Sequence, residues 1–515
     1  MRSTENIGLT VLVLGVVVLA GVLSNRVSER TRVPAPFLFL VCAAAASDLV
    51  PGLRARVPVP LVEQVVTVAL IVVLFDGGLG IGRRRFRAAA VPVVSLGVAG
   101  TVLTAGAVTL LAHYACDLSW RTALVLGAAL APTDPAVVFS VLGRHEITGR
   151  TGTVLEGESG ANDPVGIALM VALLGAGGTT GEQIGHILVT FAEQLAVGVA
   201  VGVAGGYGLL RFIRAVPLPG AGPHPVRALA GAAVIYGAAS VAHGSGFLAV
   251  LVAGVLLGDE AVPYRMEIRQ VCGALASLAE IVVFVALGLT VGLRALGRDD
   301  VWLIGLVLAV LLAFVVRPLL VGPLLLPVRL RAGERAFVLW AGLKGAVPIL
   351  LGAFAVTAGV PDAHRVYGII FVVVAFSVLV QGGTVGWAAR RFGVPMRTAD
   401  PTPWTFGVRL PHEPRNTRRH AVEPGSDADG TTLGDLVGAG DVWVSMVLRD
   451  GHLLTASADT VVRAGDELLL VTGEEDAGSA GQERLPASWA ARRPPAGRVR
   501  RAGTPAGWTY RRRRR

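Results

Sequence analysis

The sequence predicts an all-α polytopic membrane protein with about 13 transmembrane helices, inverted repeats and two interrupted helices, followed by a small α/β domain. Three observations predict it. The 515 residues are 53% hydrophobic and 16% charged, with a mean hydropathy of +0.64, a balance foreign to soluble domains of this length. The apolar residues fall in runs of about 20, the length that crosses a hydrocarbon core. Near residue 393 these runs stop, and alternating apolar and polar patterns begin further on.

Apolar windows place spans at 6–24, 34–50, 61–81, 90–114, 121–142, 153–176, 184–210, 228–242, 245–260, 272–293, 301–327, 336–359 and 366–388. The first run is long for a signal-peptide core and is followed by arginines, so it is expected to be a retained helix. Alternate loops carry most of the arginines, among them Arg83, Arg84, Arg85, Arg87, Arg144 and Arg150. By the positive-inside rule those loops are cytoplasmic. An odd number of spans then puts the N-terminus outside and the C-terminus inside.

The fifth and sixth spans contain acids. The sixth reads TVLEGESGANDPVGIALMVALLGA (153–176), with Glu156, Glu158, Asn162 and Asp163. A carboxylate in a hydrocarbon slab costs about 2.5–3.5 kcal/mol on insertion scales and marks an ion or proton path by default. Glu158 and Asn162 share a helix face, as do Ser159 and Asp163. Pro164 removes the donor to the carbonyl of Gly160. The fifth span is broken harder, with Thr133 and Asp134 between Pro132 and Pro135. Broken helices near the midplane expose polar backbone at transporter sites. Carboxylate, amide, hydroxyl and carbonyl oxygens are what hard cations take. Asp163, Asp134, Thr133, Ser159 and Asn162 are therefore the candidate site for a monovalent cation and a proton.

The twelfth span carries Gly342, Lys344, Gly345 and Pro348, and Lys344 is the one lysine of the chain. Spans 4–6 and 11–13 are offset by an odd number, so equivalent helices run oppositely, with an interrupted helix in the middle of each triple. A charge inside a bundle usually pairs with another, and Lys344 is the expected partner of Glu158. Arg317 (FVVRPLL) is divided between snorkelling and function. Asp76 (LFDGGLG) is expected to cap or line a vestibule. Glu63, Glu193 and Glu280 also fall in apolar runs and receive no role.

APTDPAVV followed by GESGANDPVGIAL, with FDGGLG upstream and GLKGAVPI downstream, resembles the monovalent cation/proton antiporter family of the NhaP and sodium/proton exchanger type, over about residues 6–390. The resemblance implies that Asp163 is the essential carboxylate and that Thr133, Asp134 and Ser159 complete the ion site. Asn162 stands where electrogenic relatives carry a second aspartate, which implies electroneutral exchange. It also implies pairing of Glu158 with the basic residue of the GL-basic-GA motif, here Lys344, and a homodimer with a moving core. The C-terminal piece looks like the second subdomain of the regulator-of-potassium-conductance domain (the TrkA-C type), which points to the potassium/proton branch. A sodium/proton antiporter is the alternative within the same fold.

The expected organisation is a transmembrane exchanger at 1–393, a linker at 394–403, a cytoplasmic TrkA-C-like regulatory domain at 404–476 and a disordered tail at 477–515 that ends in five arginines. The period-2 runs of the domain are expected at 442–448, then, after a turn at Arg449-Asp450-Gly451, in HLLTA, and later at 467–473. A nucleotide second messenger at this domain is an analogy only, and no glycine-rich dinucleotide loop is present. The net charge of +10 resides in loops and tail and does not signal nucleic acid. Three distant cysteines make no metal or disulfide pattern. The absence of a TVGYG-like filter argues against a channel gated by the cytoplasmic domain. No nucleophile–base pair or cofactor loop supports an enzyme, and no cofactor is expected.

Overall fold

The computed structural model describes residues 34–50, 57–142, 145–176, 181–297, 300–398, 417–422, 426, 428–437, 442–449 and 452–472, with 15, 19 and 21 besides. Apart from residues 15, 19 and 21, the expected first span lies outside these residues, and so does the arginine tail. The chain divides into two compact units, Met1–His412 and Glu413–Arg515.

The first unit is a helical bundle. Among its described helices, Val59–Ala88, Ala90–Cys116, Glu182–Ala215, Arg265–Thr290, Val301–Leu325 and Ala363–Arg391 are long and apolar enough to cross a membrane. Ala35–Leu49, Arg150–Gly175, Pro223–Val241 and Gly246–Gly258 occupy further predicted spans. Arg150–Gly175 is long enough, but Glu156, Glu158 and Asp163 set it apart from its apolar neighbours. Outward-facing Leu188, Val189, Val234 and Leu319 are each more than half exposed, as suits side chains that meet lipid.

The fifth and twelfth spans are interrupted. Trp120–Leu130 stops, an unwound stretch follows, and Ala136–Leu142 resumes the helix. Ala332–Trp340 and Ala346–Thr357 repeat the pattern. The sixth span is not broken: Arg150–Gly175 runs through Pro164 as one helix. A single proline removes one donor, which a packed helix tolerates, whereas Pro132 and Pro135 remove two within one turn.

Glycines set how closely helices approach. Gly78 and Gly82 on Val59–Ala88 face Gly254 and Gly258 on Gly246–Gly258. A Cβ on Gly78 would lie 2.7 Å from the Leu251 carbonyl, and one on Gly254 would lie 2.6 Å from that of Phe75. Small residues four apart let backbones touch where lipid gives no hydrophobic drive to association.

At one end of the bundle His145–Ile147 pairs antiparallel with Met396–Thr398. Part of the expected linker is therefore a strand. The second unit is an antiparallel sheet in the order Thr417–Ala421, Glu467–Thr472, Val442–Arg449 and His452–Leu454, with the short helix Leu433–Val437. Val447, Val462, Leu468 and Leu470 fill its core with Leu433 and Leu436, as the alternating pattern predicts.

Candidate functional site

The two unwound stretches cross. The backbone N–H of Asp134 donates to the carbonyl of Leu343 at 2.8 Å. Gly345 lies so close to the Asp134 side chain that any Cβ there would collide with it. Only glycine lets the second break pass the acid of the first.

Each half-helix ends with carbonyls that lack a next turn. In the fifth span, Pro135 stands where a continuous helix would supply the N–H for the carbonyl of Ala131. The Lys344 ammonium replaces it, donating to Ala131 O at 2.9 Å and Pro132 O at 3.0 Å. In the twelfth span, Arg317 donates through Nε to Leu339 O at 3.0 Å and through Nη2 to Val338 O at 3.3 Å. Gln381 Nε2 donates to Trp340 O at 3.0 Å. One buried cation thus faces the negative end of the first half-helix in each interrupted span.

Glu158 does not pair with Lys344 as expected. Its Oε1 accepts from Arg317 Nη2 at 2.8 Å, and both side chains are buried. The planar fork of arginine serves a carboxylate and two carbonyls at once, which a lysine point charge does not match, while Lys344 is committed to the other break. Arg317 precedes Pro318 in the wide helical turn Leu312–Val321 and lies flat against Gly342.

The helix Arg150–Gly175 brings the remaining candidates to the crossing. Asn162 Nδ2 donates to Thr133 Oγ1 at 2.6 Å. Ser159 and Asp163 are buried on the face one turn apart. Oδ1 of Asp163 is buried and has no hydrogen-bond partner among the described residues. Asp134 and Lys344 are the charged groups that act on it. Thr133, Asp134, Asn162 and Asp163 therefore converge, with Lys344 among them. Asp76 stands apart on Val59–Ala88, half-buried, with its carboxylate towards Gly273 and the charge of Arg269.

The structure brings two further residues, Ser377 and Gln381, to the crossing. Ser377 Oγ accepts from the Lys344 backbone N–H at 2.9 Å and donates to Gln381 Oε1 at 2.6 Å. Both lie in the apolar run AFSVLVQGG, where two polar side chains were the available signal. Glu280 Oε1, elsewhere in the bundle, is buried and has no hydrogen-bond partner among the described residues.

Residues 14–391 match the sodium/hydrogen exchanger transmembrane family. The chain belongs to this family. The exchanger is 36% identical over 389 residues to the K(+)/H(+) antiporter NhaP of Alkalimonas amylolytica, covering 75% of this chain and 67% of that one. It is 32% identical over 472 residues to the K(+)/H(+) antiporter NhaP2 of Shewanella oneidensis, covering 88% and 79%. With the Na(+)/H(+) antiporter NhaP of Pseudomonas aeruginosa it shares 28% identity, over 66% and 84% of the two chains. The fold resembles that of the sodium proton antiporter MjNhaP1 from Methanocaldococcus jannaschii at pH 8, with a TM-score of 0.63, 22% identity, and 74% and 100% of the chains covered. The exchanger is a multi-pass membrane protein that carries a monovalent cation against protons, and not an enzyme.

Proposed function

We propose that the exchanger is an electroneutral potassium/proton antiporter in which K+ and H+ compete for Asp163. The observation that carries this reading is the carboxylate of Asp163, buried at the crossing of two broken helices with one oxygen unpartnered among the described residues. Away from water, such a carboxylate keeps its charge only with compensation. A proton or a cation supplies it, and the arrival of one displaces the other. Thr133 and Ser159 offer hydroxyls and Asp134 a second carboxylate to the cation. Asn162 is neutral and donates to Thr133, so position 162 adds no second exchangeable charge. One cation then moves against one proton per cycle, and a shift of the core re-exposes Asp163 to the opposite face.

Potassium is favoured by the relatives that align furthest. The Shewanella alignment covers 88% of the chain, more than the membrane part alone, whereas the Na(+)/H(+) relative covers 66%. The C-terminal sheet that this longer alignment reaches is the regulatory domain in this reading. The arginine-rich loops support a cytoplasmic position for the Arg150 end of the site helix, and the resemblance extends the proposal to a homodimer.

The test is proton flux in everted vesicles from antiporter-deficient cells with an acid interior. Adding K+ dissipates the gradient in wild type, and Asp163→Asn abolishes the response while insertion is unchanged. A response to Na+ alone moves the protein to the sodium branch. Exchange that survives Asp163→Asn with Asp134 intact removes Asp163 from its role.

A further inference from the structure

The helix that carries Asp163 meets Val59–Ala88 through a charged contact well away from the crossing. Arg85 Nη2 lies 3.2 Å from Glu156 Oε2 and donates to Thr153 Oγ1 at 3.4 Å. Glu156 and Asp163 are seven residues apart, two turns or about 10.5 Å along one helix face. The side chains of Arg85 and Glu156 are 48% and 32% exposed. One carboxylate thus stands at an exposed rim, and the other at the buried end of the same face.

Arg85 reaches this rim because its helix is broken beneath it. Gly82 has φ 68° and ψ 161°, a conformation open to glycine and strained for other residues. The N–H of Arg84 donates to Asp259 Oδ2 at 2.6 Å, which anchors the restarted turn. Arg83 approaches Glu260 to 3.9 Å, and Arg214 pairs with the same carboxylate at 2.7 Å. The turn that bears Arg85 is therefore held by the segment after Gly246–Gly258, while Glu156 belongs to the site helix. The pair therefore joins that anchored turn to the site helix.

We propose that Arg85 and Glu156 form a latch over the Arg150 end of the exchange path. Paired, they close the face that leads to Asp163. Parted, they open it, and Glu156 is the first carboxylate that an entering cation meets in place of Arg85. A half-exposed pair adds little to stability and is readily broken in each cycle. The buried Glu158–Arg317 pair on the same helix is costly to break and stays closed. The latch rests on Asp163 as the exchanging carboxylate.

The experiment uses the full chain with Cys42, Cys116 and Cys272 replaced and with Arg85→Cys and Glu156→Cys introduced. Exchange in everted vesicles is expected before treatment with a short bis-maleimide and is lost after it. Undiminished exchange in the cross-linked protein overturns the latch, because the two helices would then keep one relation throughout the cycle. Charge variants supply a second reading that needs no cross-link. Arg85→Gln and Glu156→Gln each shift the cation KM on that side by about two- to fivefold, the size a half-exposed ion pair carries. The swap Arg85→Glu with Glu156→Arg restores it. Single variants without a shift, or a swap that restores nothing, overturn the proposal. A wild type that moves no cation at all strikes the antiport reading itself and takes the latch with it, whereas the other outcomes leave antiport standing.

Discussion

At the scale of single residues, the buried cations divide the work that the broken helices create. Lys344 satisfies the carbonyls of Ala131 and Pro132, and Arg317 those of Val338 and Leu339 together with Glu158. Removing one partner of a buried pair leaves an uncompensated charge, which costs about 3–5 kcal/mol. Glu158→Gln and Arg317→Met are each expected to lower the melting temperature of the purified protein strongly. The double variant should lose less than the two losses added, because the stranded charge is gone. Strict additivity in that cycle would mean that the two side chains do not act on each other. A permutation in which Arg317→Met is silent would show that Glu158 is held by another group.

At the scale of elements, the site depends on two unwound stretches that pass within contact distance. The expected effect of Gly345→Ala is loss of exchange in inserted protein. Its methyl group would occupy the place of the Asp134 side chain and prise Asp134 N from Leu343 O. Gly106→Ala is the matched control, since nothing lies within 4 Å of a Cβ there. Dye-monitored proton flux and insertion, measured on both variants, check the pair. The breaks themselves were legible, because Pro132, Pro135 and the glycines around Lys344 act on their own backbone. Pro164 misleads the same reasoning: a proline records one lost donor, and whether the helix then stops depends on what packs around it.

At the scale of the whole molecule, the second unit has its own electrostatic anchor. Asp466 is 1% exposed. Burial pushes its carboxyl up, but two hydrogen bonds from Arg449 and one from the Arg463 backbone N–H outweigh it and hold the group below its ordinary value of 3.8. A carboxylate depressed in the fold stabilises it fully above the unfolded value and loses that contribution as pH falls through the folded one. Hydrogen exchange of the full chain should therefore show protection at residues 442–472 falling once pH drops below about 3.8. Asp466→Asn should remove that step and weaken protection at neutral pH. An unaltered pH profile in the variant would place the acid sensitivity of the sheet on other groups.

The sequence by itself determined the membrane class, the two breaks and the small C-terminal sheet. Hydropathy, proline geometry and strand alternation are properties of neighbouring residues, and they survive without knowledge of the rest of the chain. It also singled out Thr133, Asp134, Asn162 and Asp163, since an acid in an apolar run is conspicuous wherever the helix points. Only the tertiary structure decided who meets whom. Glu158 takes Arg317, 159 residues away, and Lys344 takes carbonyls more than 200 residues away. Ser377, Gln381 and Arg85 acquire their roles from the same packing. These pairings follow from helix rotation and crossing, which the close approach of glycine-bearing faces sets across the bundle. No local pattern encodes them.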